Sequence, residues 1–124
     1  MSAKDNSKQN PFSLEENLKK ALAELLILQL LEEREYYIVE LTTALQQKSG
    51  GAVSIVFPYA AIYRLQEAGY IQEMPRRIAP DGRRRQYFKI TEAGIVYLRQ
   101  LRQIYAAFTA GVARILNEGG QSNE

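Results

Sequence analysis

The chain has 124 residues, 46% hydrophobic and 24% charged, the proportions of one ordinary globular domain with room for a single core. It contains neither cysteine nor histidine, which excludes a disulfide framework, thiolate chemistry, the usual zinc ligands and the commonest general base, and makes a reducing cytoplasm its natural setting. The net charge of +2 conceals a segregation, because Leu14 to Gln47 carries seven Glu against three cations while Arg76 to Lys89 holds six of the sixteen Lys and Arg with Asp81 as its one acid.

Residues 1–12 open with MSAKDNSKQN, which lacks the apolar core of a signal peptide and reads as a disordered tail. Ser13-Leu14-Glu15-Glu16 matches a capping box and predicts a first helix from Leu14 to Glu33. From Leu22 to Leu31 only Glu24 and Gln29 are polar, so this helix needs cover on both sides, more than a domain this small is expected to supply alone. Its apolar run LLILQLL (25–31) is far short of a membrane span. A second helix is expected from Tyr36 to Gln47, with Ile38, Leu41 and Leu45 on one face, stopping at Lys48-Ser49-Gly50-Gly51. The β-branched and aromatic run VSIVF (53–57) suggests a short strand. Pro58 then suits the first position of a third helix, with Ala61, Ile62, Leu65 and Ala68 inward and Gly69 as terminator.

Ala79-Pro80-Asp81-Gly82 has the order of a type I turn closed by glycine, the plan of a three-residue hairpin loop. Phe88 and Ile90 alternate with Tyr87 and Lys89, giving one apolar and one cationic face, with arginines around the tip. Thr91 caps the next helix, and Glu92 sits at its positive end. That helix, Glu92 to Asn117, carries a heptad seam of Leu98, Leu101, Tyr105, Phe108, Val112 and Ile115, with Gly111 beside it, until Glu118-Gly119-Gly120 ends it. The fold expected is mainly α with a small β-hairpin: a winged helix-turn-helix over residues 13–91, a long C-terminal helix over 92–117, and a disordered tail over 118–124.

In a winged helix-turn-helix the third helix enters a major groove and the hairpin lies along the phosphates or in the neighbouring minor groove. The candidate DNA contacts are Ser54, Tyr59, Tyr63 and Arg64 around the third helix, and Arg76, Arg77, Arg83, Arg84, Arg85 and Lys89 on the hairpin. Two of them have a second reading: Tyr63 with its ring buried, and Arg64 paired with a glutamate of the second helix such as Glu40. An enzyme is the weakest candidate, since there is no Gly-rich phosphate loop, no sequestered carboxylate pair and no histidine for a serine triad; no cofactor or metal is called for. The rival is a winged helix used purely for protein–protein contact, its basic stretch meeting an acidic partner.

FPYAAIYRLQEAGYI (57–71) followed by GRRRQYFKITEAG (82–94) resembles the PadR family of bacterial transcriptional regulators. Tyr59, Ile62, Arg64, Leu65, Gly69 and Ile71 fill that family's third-helix pattern, and Gly82, Arg83, Arg85, Tyr87 or Phe88, Thr91 and Gly94 fill its wing pattern. The likeness extends weakly through ELLILQLLEE (24–33) and covers about residues 18 to 117. Three positions depart from the pattern: Tyr36-Tyr37 stand where Gly-Tyr is usual, Pro58 precedes Tyr59 where proline usually follows the tyrosine, and Gln66 replaces a glutamate. The first two bear on how the third helix is oriented, so operator preference does not carry over. The resemblance implies a homodimer in which the final helix packs against the partner's first and last helices, through Leu22, Leu26, Leu98, Leu101, Tyr105, Phe108, Val112 and Ile115. It also implies repression of a nearby gene, relieved by a small molecule that is often aromatic. Tyr36, Tyr37, Tyr97, Tyr105 and Phe108 are candidates to line such a pocket, or else are core.

Overall fold

The computed structural model describes residues 10–55 and 58–121. Helix α1 spans Phe12–Glu33, and it starts ahead of the expected capping box. Asn10 Oδ1 accepts the Phe12 N–H at 3.0 Å, and Pro11 already has helical dihedrals (φ −61°, ψ −22°), so Ser13 lies inside the first turn. Proline's fixed φ carries the helix back to Asn10. The remainder of the 1–12 tail lies outside the described residues.

Ile27, Leu28, Leu30 and Leu31 of α1 are buried within the single chain, contrary to expectation. Helices α2 (Ile38–Lys48), α3 (Tyr59–Glu67) and α4 (Glu92–Gln121) surround them together with strand β5 (Tyr87–Ile90). The uncovered apolar surface of α1 is instead its N-terminal half, at Phe12, Leu14 and Leu18. Gln29, an interruption of the apolar run, accepts both Nε and Nη2 of Arg102, whose guanidinium also reaches Glu32; this polar clasp ties α4 to α1.

Tyr36–Tyr37 do not begin α2. They form strand β1, which pairs antiparallel with β5 in the register Tyr36↔Phe88 and Tyr37↔Tyr87. Strand β2 (Ile71–Glu73) pairs with the other edge of β5, giving the sheet order β1-β5-β2. Val53–Ile55 form no strand: Ser49 Oγ accepts the Val53 N–H and donates to its carbonyl, folding the loop back onto the end of α2. The rest of the expected VSIVF strand, Val56 and Phe57, lies outside the described residues.

Helix α3 ends as the sequence indicates. Gly69 takes φ +81°, a region open to glycine without steric cost, and Tyr70 N–H closes back on Leu65 O at 2.9 Å. The wing is not one continuous hairpin. Pro75 has no N–H to donate, and the Gln86 side chain reaches across to Met74 O, so the tip separates as a two-stranded ribbon of β3 (Arg77–Ile78) and β4 (Arg84–Arg85). Its loop has the expected form, with Ala79 N–H on Arg83 O, Gly82 N–H on Ala79 O, and Gly82 at φ +84°.

Thr91 Oγ1 accepts the Gly94 N–H at 3.1 Å and donates to Gly69 O, so the cap of α4 also clips it to the end of α3. The helix continues through Gly119-Gly120 to Gln121, so the tail expected from residue 118 does not begin there. Glycine costs only about 1 kcal/mol in a helix and does not stop one by itself.

Candidate nucleic-acid interface

The first turn of α3 and the inner side of the wing face each other across a small cleft. Tyr59, Arg76, Arg84, Arg85 and Gln86 line it, with Val39 from the head of α2, around a volume of about 190 Å³. Tyr59 and Tyr63 are 56% and 61% exposed, so neither ring is buried; nine residues of α3 bury only one stripe, Ala61, Ile62 and Leu65, and leave the tyrosines on the opposite side. Gln66 is taken up by Glu73 of β2 at 3.2 Å.

The candidate cations fall into two states. Arg64 Nε pairs with Glu24 Oε2 of α1 at 2.6 Å, not with a glutamate of α2; Glu40 is taken by Arg34 instead. Arg77 Nη1 meets Glu35 Oε1 at 2.8 Å and lies over the Tyr87 ring, 3.4 Å from its centroid. Arg85 makes a forked contact with Asp81 Oδ2, at 2.6 Å from Nη2 and 3.2 Å from Nε, and lies over Tyr37 at 4.9 Å. Arg76, Arg83, Arg84 and Lys89 have no acidic partner among the described residues. Arg76, Arg83 and Arg84 are exposed at the wing, whereas Lys89 is half-buried on β5 opposite Gln72, away from the tip.

The outer face of β5 is not simply cationic. Tyr87 is buried with Tyr37, Ala79 and part of Met74 in a small cluster beneath the tip, and the two rings meet edge to face at 5.3 Å. Burial, and then the negative charge of Asp81, push the Tyr37 phenol above its ordinary value. The Arg85 guanidinium, and then the Arg83 N–H, hold the Asp81 carboxyl below the usual carboxylate range. Ser54 is half-buried and lines a different cavity, about 480 Å³, between α1 and the start of α3, with Lys19, Lys20 and Arg64. It stands apart from the wing cleft.

A second feature lies between α1 and α4. Leu98 is fully buried in the chain's own core, so it has no surface to offer a partner. The seam below it opens outward: Leu22, Leu26 and Leu101 are half-buried, while Tyr105, Phe108, Val112 and Ile115 are exposed, Phe108 and Ile115 at 71% and 72%. Ile104 and Leu116 are exposed on the same helix and were missed by the strict heptad, which follows one line of a wider apolar face. An apolar groove of about 440 Å³ runs between Leu18, Leu22 and Leu25 of α1 and Leu101, Ile104, Phe108 and Val112 of α4. Of the five aromatics considered for a ligand pocket, Tyr97, Tyr105 and Phe108 line this groove. Tyr36 and Tyr37 are buried at the sheet and belong to the core. No helix among the described residues is long and apolar enough to cross a membrane.

Comparison with known proteins agrees with this architecture. The family described as transcriptional regulator PadR-like matches residues 27–100. A PadR-like transcriptional regulator from Bacillus cereus strain ATCC 14579 superposes with a TM-score of 0.69 at 26% identity, over 81% of this chain and 96% of its own. A transcriptional regulator from Clostridium thermocellum gives 0.68 at 25% identity, over 79% of this chain and 93% of its own. A PadR family transcriptional regulator from Eggerthella lenta DSM 2243 gives 0.70 at 21% identity over 94% of this chain and 97% of its own, a likeness of fold that takes in most of α4. No curated protein sequence matches the chain.

Proposed function

This chain belongs to the transcriptional regulator PadR-like family, and on that premise we propose that it works as a homodimeric repressor that binds duplex DNA. Helix α3 enters a major groove through Tyr59 and Tyr63, and the wing lies on the flanking phosphates. The observation that carries this reading is the wing cleft. An exposed tyrosine at the head of α3 faces Arg76 and Arg84, two cations without an acidic partner among the described residues, across a gap open to solvent. Arg83 extends the same cationic edge around the tip, while Ser54, Arg64 and Lys89 lie further out and contribute at most to the surrounding field.

The dimer rests on the exposed apolar side chains of the outer half of α4 and of the uncovered start of α1. Repression follows from occlusion, because a dimer seated over two successive grooves blocks that stretch of promoter. An effector would be an aromatic molecule held in the α1–α4 groove by Tyr97, Tyr105 and Phe108, where it would alter the spacing of the two α3 helices.

Fluorescence anisotropy with a duplex from the gene's own upstream region, titrated at several salt concentrations, tests the reading. Wild type is expected to prefer this duplex over a scrambled one. Arg83→Ala/Arg84→Ala is expected to make the log–log salt slope shallower by about 1.8, or ~0.9 for each phosphate that is no longer neutralised. Binding no better than that of a basic polymer would leave the protein–protein alternative, with an acidic partner for the wing.

A further inference from the structure

The ribbon at the wing tip should be weak. It has only two rungs, Arg77↔Arg85 and Ile78↔Arg84, and a two-stranded ribbon is at best marginally stable in water. One rung sets two arginines directly opposite each other, a destabilising arrangement for like charges. Each arginine, however, is held by its own carboxylate and its own ring: Arg77 by Glu35 and Tyr87, Arg85 by Asp81 and Tyr37. The two rings in turn touch edge to face beneath the tip. Asp81 does a second job, since its Oδ1 accepts the Arg83 N–H and so shapes the loop. Glu35 already holds Nη1 of Arg77 and Asp81 holds the Nε–Nη2 edge of Arg85, so a phosphate would have to compete with a carboxylate for those donors.

We propose that the wing arginines divide by role: Arg77 and Arg85 are positioning residues that clamp the ribbon onto the Tyr37–Tyr87 pair, and Arg76, Arg83 and Arg84 are left to bind phosphate. Asp81 and Glu35 are then the counter-charges of the clamp, one supplied by the loop and one by the chain just before β1. The phosphate half of this assignment rests on the DNA-binding reading above; the clamp half does not. Charge alone makes Arg83, Arg84 and Arg85 equivalent members of one cationic run. Their partners separate them: the Arg85 side chain is 23% exposed and doubly hydrogen-bonded, whereas Arg83 and Arg84 are exposed and carry no such pair.

Lysine separates the two roles. It keeps the charge a phosphate needs but has neither the planar fork nor the stacking face that the clamp uses. The experiment measures amide hydrogen exchange without DNA, at Ala79 and Met74, whose N–H groups bond Arg83 O and Tyr87 O across the wing. It also measures the salt dependence of anisotropy with a mixed-sequence DNA duplex, for full-length wild type, Arg85→Lys, Arg77→Lys and Arg84→Ala. Both lysine variants are expected to exchange about tenfold faster at these amides, the factor that losing a charge-assisted hydrogen bond gives. They should bind duplex more weakly at every salt concentration, with an unchanged slope. Arg84→Ala should exchange like wild type and bind with a slope shallower by ~0.9.

Wild-type exchange in Arg85→Lys overturns the clamp, whatever happens to binding. An unchanged slope in Arg84→Ala overturns the division of roles. If wild type fails to bind duplex at all, the DNA reading and the phosphate half fall together, and exchange alone still decides the clamp.

Discussion

Among the described glycines, Gly94 has the least room for a side chain. A Cβ placed there would sit 2.1 Å from Tyr70 O and 2.7 Å from Ile90 Cγ1, because Thr91 draws the first turn of α4 against the end of α3. Alanine is ordinarily the better helix former by about 1 kcal/mol. Here that gain is outweighed by overpacking, which costs about 1–3 kcal/mol when backbone must move. Gly94→Ala is therefore expected to lower the thermal midpoint by a few degrees, on the scale of about 4 °C per kcal/mol for a chain of this size. An unchanged or raised midpoint by differential scanning calorimetry would mean that α4 shifts freely. At Asp81 the argument is electrostatic. Its folded pKa is depressed, chiefly by Arg85, so its contribution is fully present above the unfolded value of about 3.9 and is lost as pH falls through the lower folded value. The wing is expected to keep its amide protection from neutral pH down to about 4 and to lose it only below that. Carbon-detected NMR of the Asp81 carboxyl should show the matching late titration, and Arg85→Lys should move it back up.

Among the elements, α1 and α4 hold the domain together, and the pair has an apolar part and a polar part. Leu98 is fully buried between them, and Arg102 clasps Gln29 and Glu32 one turn further along. Leu98→Ala is expected to destabilise by about 2–5 kcal/mol, read from the urea midpoint. Arg102→Met, keeping the stem but not the fork, should cost less, since the pair is partly exposed and Gln29 regains water when Arg102 is removed. A larger loss for Arg102→Met than for Leu98→Ala would reverse that ranking. The same elements show what a sequence makes legible. Helices α3 and α4 and the Pro-Asp-Gly loop carry their determinants within a few residues, in Gly69, Thr91 and Gly82, and can be read locally. Strand β1 cannot: Tyr36 and Tyr37 are extended because β5, about fifty residues later, offers them an edge. The partners of Arg64 and Arg77 were likewise hidden, because each depends on where another segment lands, while spacing reveals only that a charge exists. The second reading of Tyr63, a buried ring, fails for the same reason, since burial would need a neighbour that the fold does not place over it.

The charge segregation of the sequence is partly bridged in the fold, since Glu35 of the acidic stretch reaches Arg77 of the wing while Arg76, Arg83 and Arg84 keep no acidic partner among the described residues. In the proposed reading the wing and α3 form one working surface, and the outer half of α4 forms another. In the proposed dimer the second surface sets the distance between two copies of the first, which must match about 34 Å to meet successive major grooves. Phe108 and Ile115 are the most exposed large apolar side chains on α4. In a two-fold interface each substitution counts twice, once per protomer. Burying one Phe is worth roughly 1.5–3 kcal/mol, so Phe108→Asp removes about 3–6 kcal/mol of association energy before the cost of burying two carboxylates is added. Sedimentation velocity is therefore expected to show wild type as a dimer at micromolar concentration and Phe108→Asp as a monomer. Far-UV circular dichroism should stay close to wild type, because Phe108 touches solvent and not the core. Duplex affinity should fall with the dimer even though no wing or α3 residue has changed, since a monomer reaches only one of the two half-sites. A Phe108→Asp protein that is monomeric yet binds duplex as tightly as wild type would separate the two surfaces, and DNA recognition would then belong to the single winged helix.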